Sequence, residues 1–476
     1  MANPSPPLGL SEEDWRATPV AVRVVVMELL QRVARLEARL NQTSRNSSKP
    51  PSSDPPQAKP RAAKEPTGRK SGGQPGHEGH GRKLKPESEV DQIIDVRPEH
   101  CGQCGTLLLG EDAEPERHQV TEVPRIAPVV TEYRRHCLWC VACGARTQAA
   151  WPATMPMGSF GPRVQATVGY LTGRIGASQR EVQDILATLW QTDVSVGGIG
   201  ALEQAVSVAL AAPVAEAQTY VQRQPIRNAD ETSWREKAQR RWLWIGVTPL
   251  VTIFRLLKTR GAAGAKELLG EEVVWGIIGT DHYAGYHGID PHQRQLCWAH
   301  LKREFVAWSE RTGETARIGL ALLAVEKQLF TLWYRVRDGT LAWADFQVAL
   351  QPLMARVTTL LQEGVAGPDT KVRGTCRNLL KREAALWTFV WEPGVEPTNN
   401  SAERPLRRAV LWRRRSFGTQ SEAGSQFVER ILTAVTTLRQ QRRDVLGYLT
   451  TACAAAICKT PAPSLLPLTS PPLLAR

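Results

Sequence analysis

The spacing of apolar residues changes along the chain, and the N-terminal spacing predicts a helix that self-associates. From Val22 to Leu40 apolar residues recur at alternating steps of four and three, which is the seam of a short coiled coil. Pairing along this seam predicts a homo-oligomer. Because fewer than three heptads are present, an amphipathic helix packed on its own domain stays open as the alternative.

Further along, strand patterns come first and helical patterns follow. RWLWIGVTPLVTIFRLL predicts two apolar strands on either side of Pro249, the next segment predicts a turn and a helix, and VVWGIIGTDHY predicts a buried strand that ends in Asp281. From about Phe305 to Trp391 the pattern is almost wholly helical, which we interpret as an insertion. Strands followed by helices indicate an α/β sheet domain. We expect the final Pro-rich tail to be disordered.

A pair of helices before this domain has the pattern of a helix-turn-helix. Ser178 and Glu181 form a capping box ahead of an apolar-periodic helix, and a second helix is predicted from Ser195. Three glycines in 197–200 give that second helix little helix propensity and few side chains that could read bases. A plain helical hairpin is therefore equally favoured.

The charge of the chain favours a polyanionic partner. Lys and Arg total 60 against 47 Asp and Glu, which gives a net charge of +13. Residues 46–86 hold nine basic and three acidic residues among Ser, Pro and Gly, so we expect a basic tether that binds phosphates without folding. The alternative is a linker that is merely soluble.

Two features predict the compartment. The chain has no apolar run of 18 or more residues, and its first residues lack a basic start followed by an apolar segment. We therefore expect a cytoplasmic protein that does not contact a membrane and that, if its polyanionic partner is DNA, joins the nucleoid when bound.

Five of the nine cysteines crowd between Cys101 and Cys143, which in a reducing compartment favours metal binding over disulfides. Two matched Cys-x-x-Cys-Gly knuckles offer four thiolates, and this set suits a closed, tetrahedral and structural zinc site. The predicted ligands are Cys101, Cys104, Cys140 and Cys143. His136 and Cys137 lie close enough to substitute, and the spacing of Cys137, Cys140 and Cys143 keeps an iron–sulfur cluster open.

Three acidic residues stand in settings that suit divalent metal ions. Asp230 lies at the end of the extended segment QPIRNADETSW, Asp281 at the end of a predicted buried strand, and Glu403 at a helix start in PTNNSAERPLRRAV. Cleaving a phosphodiester without a covalent intermediate suits two metal ions, and Mg²⁺ or Mn²⁺ prefers carboxylate oxygens. A single acid is more often a cap or a surface charge, so the setting carries this prediction.

The helix that follows Glu403 is rich in arginine. Helical spacing places Glu403, Arg407 and Arg414 on one face, so one helix could hold a metal ion and grip phosphates. A solvated basic face is the alternative. The candidate DNA-binding residues are Arg404, Arg407, Arg408, Arg413, Arg414 and Arg415.

Over nearly its whole length the chain resembles the transposases of the insertion sequence 66 family. The motifs are SRNSSKPPSSD with GGQPGHEGH, the two knuckles, ADETSW, TDHYAGY, CWAHLKREF, and PTNNSAERPLRR followed by RRRSFGTQSEAGSQ. The resemblance implies a DDE transposase with a ribonuclease-H-like core. It implies two Mg²⁺ or Mn²⁺ ions at Asp230, Asp281 and Glu403, structural zinc at the four knuckle cysteines, and small accessory proteins from the same element.

The resemblance also points to two accessory residues and to two departures. His300 and Arg303 in CWAHLKREF are implied to lie near the reacting phosphate, although a buried structural histidine is equally favoured at 300. His282 stands where the family usually has glycine. Pro405 falls two residues after Glu403, so we expect both in the first turn of their helix.

Together these patterns predict a multidomain α/β protein. Its expected parts are a coiled-coil helix (1–45), a basic linker (46–98), a zinc-binding module (99–150), a helix-turn-helix-like region (158–215), a catalytic domain (216–450) with a helical insertion at about 306–392, and a C-terminal segment (451–476). We expect a transposase that binds terminal inverted repeats and target DNA. The rivals are a non-enzymatic DNA-binding regulator, a decayed transposase and a host nuclease of similar fold.

Overall fold

A computed structural model describes residues 11–40, 42–47, 83–270 and 276–467. The chain forms two compact units, one of residues 1–56 with 130–476 and one of residues 57–129. Most of the predicted basic tether lies outside the described residues. In the smaller unit, the described part is mainly extended, with one short 3₁₀ turn at Glu87–Glu89.

The larger unit holds the helices and strands. The segment before its main sheet contains α1 (Glu12–Ala17), α2 (Val20–Leu40), β1 (Cys137–Trp139), β2 (Arg146–Gln148), α3 (Pro162–Tyr170), α4 (Gln179–Trp190), α5 (Val196–Ala209) and α6 (Ala211–Gln222). The sheet region contains β3 (Ile226–Glu236), β4 (Gln239–Val247), β5 (Thr252–Leu257), α7 (Ala262–Leu269), β6 (Ile277–Thr280) and β7 (Arg294–Leu296). The helices that follow are α8 (Trp298–Ser309), α9 (Gly313–Arg337), α10 (Trp343–Ala366), α11 (Thr370–Leu380), α12 (Ala384–Trp391), α13 (Asn400–Ser416), α14 (Glu422–Gln440) and α15 (Val445–Cys458).

The main sheet is mixed and has the strand order β5-β4-β3-β6-β7. β3, β4 and β5 are antiparallel neighbours, whereas β6 and β7 run parallel to β3. A parallel return needs a long crossover, which α7 supplies between β5 and β6. The predicted strands around Pro249 and the predicted helix after them are confirmed, and the chain has the mixed helix and sheet architecture expected of an α/β protein.

Both faces of the sheet are covered by apolar packing. Trp234, Leu243 and Ile245 are buried on the face covered by α13 and α14. Ala229, Trp244 and other residues of the opposite face pack with α6, α7 and α15. Neighbouring residues of a strand point to opposite faces of the sheet. Asp230 is therefore on the same face as Trp234, and Glu231 is on the opposite face with Ala229.

Helices α8 to α12 form a second hydrophobic core between β7 and α13. Aromatic side chains dominate it, including Trp298, Phe305, Trp333, Phe346 and Trp387. Their mutual burial explains why this long helical segment stands as a separately packed body beside the sheet. The helical pattern predicted from about Phe305 to Trp391 is thus observed, and it begins earlier, at Trp298.

Helix α2 presents an exposed apolar seam. Val22, Leu29, Val33 and Leu36 are each about half exposed in the single chain. An apolar stripe of this kind is what a coiled-coil partner would bury, but the pairing itself stays a prediction. In the described residues no single helix is long and apolar enough to span a membrane, although the bent pair α5 and α6 meets that test jointly by length and composition.

Helices α4 and α5 form the expected pair, with the Ser178 and Glu181 capping box present and Ser195 capping α5. Ile199, Leu202 and Val206 place one face of α5 in the core, whereas the start of the helix, Ala201 and Val208 are exposed. The exposed start is where a recognition helix would contact DNA, so both the helix-turn-helix and the plain helical hairpin stay open.

The C-terminal tail differs from the expectation of disorder over residues 460–467. Leu465 is fully buried, its carbonyl accepts a hydrogen bond from Gln441 Nε2 at 2.9 Å, and the Tyr448 hydroxyl donates to the Pro463 carbonyl. Apolar leucines between prolines give this segment something to bury, which outweighs its turn-forming composition. Residues 468–476 lie outside the described residues.

Candidate active site

Strand register brings the two aspartates together. β3 and β6 are parallel, and Asn228 is the partner of Gly279, so Asp230 and Asp281 lie two residues beyond the same rung. Neighbouring strands are about 4.8 Å apart, which places both carboxylates at one point of the sheet. Asp281 follows its strand as predicted. The expectation that Asp230 ends its strand is wrong, because β3 continues to Glu236 as the partner of β4, while β6 stops beside Asp230.

Glu403 reaches the same point from helix α13. It lies in the first turn of that helix, as expected, whereas Pro405 is inside the helix and beyond the first turn. A proline there removes the amide that would bond the carbonyl of Ser401, so the helix tolerates a weakened second turn. The first-turn position directs Glu403 to the sheet.

Asn399 fixes the start of α13 against β3. Its buried side chain donates to the Ala229 carbonyl at 2.8 Å and accepts from Asn228 Nδ2 at 2.9 Å. Its own carbonyl accepts the Glu403 amide at 3.2 Å. Asn399 was expected to supply helix-start chemistry, and it does occupy the N-cap, but its side chain bonds the strand rather than the helix.

The electrostatics of this point are those of crowded carboxylates. Burial, then the charges of Asp281, Glu231 and Glu403, raise the pKa of Asp230 well above its ordinary value. Glu403 Oε1 is buried and has no hydrogen-bond partner among the described residues. Like charges at close range disfavour ionisation unless a cation offsets them.

His300 and Arg303 both face Glu403 from α8. His300 Nδ1 lies 3.5 Å from Glu403 Oε1, and Arg303 lies 3.9 Å from Oε2. Burial lowers the pKa of His300, with Asp281 and Glu403 acting in the opposite direction. The two predicted accessory residues are therefore beside the third carboxylate. His282 is half-buried, with Nδ1 3.8 Å from Glu304.

Cys297, His300 and Glu403 also form a group of possible metal ligands, with one ligand atom of each within 4.8 Å of the others. The Cys297 thiol is buried and accepts the Asn399 amide at 3.1 Å, and burial raises its pKa to about 12. As a hydrogen-bond acceptor, Cys297 helps to hold Asn399 in place.

A fourth carboxylate, Glu231, lies behind the site and was not predicted. Its side chain is fully buried, accepts from Arg260 Nε at 2.9 Å and accepts from the Tyr286 hydroxyl at 2.6 Å. Burial and Asp281 raise the pKa of Glu231 to about 7. Arg260 also lies over the Tyr283 ring, whose amide donates to Asp281 at 2.9 Å. The network therefore supports the segment that carries Asp281.

Arg294 holds the same segment from β7. It is fully buried and donates to Thr280 Oγ1 at 2.8 Å, to the Asp281 carbonyl at 2.7 Å and to the Tyr286 carbonyl at 3.1 Å. Burial lowers its pKa to about 10. A buried arginine that bonds three successive parts of one loop fixes that loop.

A polar turn from the N-terminal segment lines the site, which sequence reasoning missed. A cavity of about 690 Å³ is bounded by Asp281, His300 and Arg303 on one side and by Gln42, Asn46 and Ser47 on the other. The side-chain amide of Asn46 donates to Glu310 at 2.7 Å. The start of the expected unfolded tether is therefore an ordered turn. The asparagine and serine residues of this segment, which favour turns, were the only sequence feature that could have predicted the turn.

The six candidate DNA-binding arginines separate into two groups. Arg404, Arg407 and Arg414 are exposed on α13. The other three make contacts within the protein: Arg413 donates to Thr232 and Ser233, Arg415 pairs with Glu181 at 2.6 Å, and Arg408 is half-buried with its pKa lowered by burial. The first group offers exposed positive charge along α13, from Arg404 beside Glu403 to Arg414 near the far end of the helix. The second group fastens α13 to its neighbours.

The two cysteine knuckles have the same turn, each considered within its own unit. In each knuckle, the backbone amide of the first cysteine donates to the carbonyl of the residue five positions further on. The glycine after the second cysteine has a positive φ, and its amide donates to the carbonyl of the first cysteine. The bonds are Cys101 to Thr106 (2.8 Å), Gly105 to Cys101 (2.9 Å), Cys140 to Ala145 (2.8 Å) and Gly144 to Cys140 (2.8 Å). Hydrogen bonds with Thr106 lower the pKa of Cys104 to about 7. Zinc at the four thiols stays a prediction.

The fold and site define an α/β protein with three carboxylates at the edge between antiparallel and parallel strands. The Transposase IS66 family matches residues 158–427, and the chain belongs to this family. A family of unknown function, DUF6444, matches residues 11–83.

Two curated relatives come from Sinorhizobium fredii (strain NBRC 101917 / NGR234). Uncharacterized protein y4qI is 24% identical over 238 residues, which is 45% of this chain and 43% of that protein. Uncharacterized protein y4hP is 26% identical over 408 residues, which is 77% of this chain and 72% of that protein. The chain thus spans less than half of the first relative and about three quarters of the second.

Proposed function

We propose that this protein is a DDE transposase whose triad is Asp230, Asp281 and Glu403. The observation that carries the proposal is the convergence of these carboxylates from β3, from the end of β6 and from the first turn of α13. A mixed sheet with two acids on adjacent strands and a third on a helix packed across it is what a ribonuclease-H-like core requires. Membership of the IS66 family supports the same reading.

The proposed reaction cleaves a phosphodiester at an element end and joins the freed 3′-hydroxyl to target DNA. The triad would hold two Mg²⁺ or Mn²⁺ ions, which when bound activate the attacking oxygen and stabilise the leaving one. The chain's own residues orient the parts. Arg294 and Tyr283 hold the segment that carries Asp281, and Asn399 holds the start of α13. Arg303 lies 3.9 Å from the Glu403 carboxylate and stabilises its negative charge.

DNA enters this proposal as the partner of the exposed arginines on α13. Arg407 and Arg414 follow Glu403 at helical spacings on one face and lie about 10 Å apart along the helix axis. They can therefore contact phosphates about three nucleotides apart on a strand whose reacting phosphate lies at the triad. Terminal inverted repeats and target DNA are the expected substrates. Pairing through α2 would hold two protomers together on two ends, and small accessory proteins complete the proposed set of partners.

The test is Mn²⁺- or Mg²⁺-dependent nicking of a labelled duplex that carries the element's terminal repeat. Native protein should nick and leave a 3′-hydroxyl, while Asp230→Asn, Asp281→Asn and Glu403→Gln should lose nicking and keep DNA binding. Matched controls are Asp290→Asn and Glu396→Gln, both exposed acids near the site in sequence. Nicking by a triad variant at the native rate would overturn the assignment.

A second readout does not depend on accessory proteins. Calorimetric titration with Mn²⁺ should show binding to the native chain and to Asp290→Asn, and weakened binding to Asp230→Asn. Equal binding by all three would place the metal elsewhere and favour a non-enzymatic DNA-binding protein.

A further inference from the structure

An exposed phenylalanine sits in a basic pocket at the far end of α13. Phe417 directly follows this helix and is 79% exposed. The pocket beside it has a volume of about 660 Å³, within the range of ligand sites, and four arginines line it without any acid. The four are Arg235, Arg240, Arg413 and Arg414. An aromatic ring in water surrounded by positive charge is unlike a packing residue.

The backbone holds the ring outward. Phe417 has φ of +57°, a left-handed conformation that costs a bulky residue energy, and Gly418 follows with φ of +107°. A side chain at 418 would clash with the Arg235 carbonyl. Thr419 then bonds the β3–β4 hairpin, donating to the Arg235 carbonyl at 2.9 Å and accepting from the Lys237 amide at 2.7 Å. The ring is therefore presented on a rigid turn.

From this geometry we infer that the Phe417 pocket binds an unpaired nucleobase, with the ring as its stacking surface and Arg414 and Arg240 as contacts for the adjoining phosphates. Every base has a flat face that stacks on an aromatic ring, and a positively charged groove follows the backbone of a single strand. The inference deepens the proposed function, because it assumes that DNA is the substrate. It assigns an unpaired strand segment to a site separate from the triad.

Helix geometry gives the position of that base. Phe417 lies 14 residues beyond Glu403, so it is about 21 Å along the helix axis at 1.5 Å per residue. A strand that runs along α13 with the B-DNA rise of about 3.4 Å per nucleotide would place the base about six nucleotides from the phosphate at the triad, and a more extended single strand would place it nearer. A DNA strand that is unpaired near the cleavage site would therefore stack one of its bases on Phe417.

The experiment uses the full chain with two DNA probes: a 12-nucleotide oligo(dT), and the terminal-repeat duplex with 2-aminopurine placed four to eight nucleotides from the cut. Phe417→Ala and Phe417→Leu should weaken oligo(dT) binding by about five- to 150-fold, while Phe417→Trp stays near native. Blunt-duplex binding should change less than twofold. Tyr334→Ala, which removes another exposed ring, is the matched control.

Native protein should also quench or shift 2-aminopurine near the sixth position, and Phe417→Leu should abolish that change. Arg414→Gln should lower the salt dependence of oligo(dT) binding by about 0.7 in log–log slope. Native-like binding by Phe417→Leu, or equal loss on both probes, would overturn the inference. So would a change of oligomeric mass in Phe417→Ala without any effect on oligo(dT).

The experiments distinguish a failure of the proposed triad from a failure of the proposed Phe417 pocket. Nicking that survives in Asp230→Asn would refute the triad while leaving the Phe417 result to stand on oligo(dT) alone. Loss of nicking in Asp230→Asn with unchanged oligo(dT) binding in Phe417→Ala would keep the triad and refute the pocket.

Discussion

Replacing Asn399 with alanine tests how the third carboxylate is positioned. Asn399 is 1% exposed, and its side chain joins the start of α13 to β3 through two hydrogen bonds. Removing it leaves the Ala229 carbonyl and the Asn228 amide without those partners. A buried polar group left unsatisfied costs about 1–3 kcal/mol; the Ala229 carbonyl is buried and the Asn228 amide is half-buried, so we expect a loss of about 1–4 kcal/mol in the free energy of unfolding.

The assay is urea unfolding followed by tryptophan fluorescence, since Trp234 and Trp244 are buried in the same sheet. Asn400→Ala is the matched control, because it removes an amide one residue further on that makes no side-chain hydrogen bond in the described structure. Asn399→Asp should be as damaging as Asn399→Ala, because its carboxylate would face the Ala229 carbonyl. A loss below about 0.5 kcal/mol in Asn399→Ala, equal to that of the control, would refute the reasoning.

The functional consequence follows from the backbone of the same residue. The Asn399 carbonyl accepts the Glu403 amide at 3.2 Å, so a shift of the helix start moves the carboxylate. Without urea, and at a temperature at which the Asn399→Ala variant is folded, we expect a smaller rate constant for nicking and an unchanged affinity for DNA. Weaker DNA binding with an unchanged rate constant would instead assign Asn399 to the DNA interface.

Three further predictions concern other parts of the molecule. The double-mutant cycle of Glu231→Gln and Tyr286→Phe should give a coupling energy of about 1.5–3 kcal/mol in unfolding, because a buried carboxylate accepts the hydroxyl at 2.6 Å; additive effects would contradict the bond. Burial raises the pKa of Glu429 from 4.5 to about 7, so ionising it disfavours the folded state, and the free energy of unfolding should fall by up to about 3 kcal/mol between those pH values. Glu429→Gln should remove that part of the fall, and an unchanged pH profile would refute the assignment. Purified protein should contain zinc that Cys104→Ser releases and Cys458→Ser retains, whereas iron with visible absorbance would establish the cluster alternative.

Local pattern was enough to predict the elements that carry the triad. The apolar strands around Pro249, the buried strand before Asp281 and the helix start near Glu403 all follow from period and capping, which act within a few residues. The misplaced strand end at Asp230 has a physical reason. Where β3 ends depends on its hydrogen-bond partner β4, and pairing is not a property of β3 alone.

The supporting contacts could not be predicted, because they join residues far apart in the chain. Asn399 meets Ala229 across 170 residues, and Asn46 meets Glu310 across 264. Such contacts depend on tertiary packing, whereas the composition of residues 46–86 indicated only a polar segment that is unable to form a core. The sequence therefore predicted that Asn46 is polar, but it gave no indication that Asn46 lines the cavity of the active site.

The arrangement of the acids is itself an argument about function. Burial and like charges raise the pKa of Asp230, which means that the fold spends stability to bring three carboxylates together. Two cationic side chains are close to the acids: Arg294 donates to the Asp281 carbonyl rather than to its carboxylate, and Arg303 lies 3.9 Å from Glu403. Asp230 and Asp281 each accept one backbone amide at Oδ1, from Glu231 and Tyr283, and among the described residues no cationic side chain bonds either aspartate carboxylate. Crowded carboxylates without a bonded cationic side chain are the arrangement that the proposed metal-dependent reaction on DNA would use.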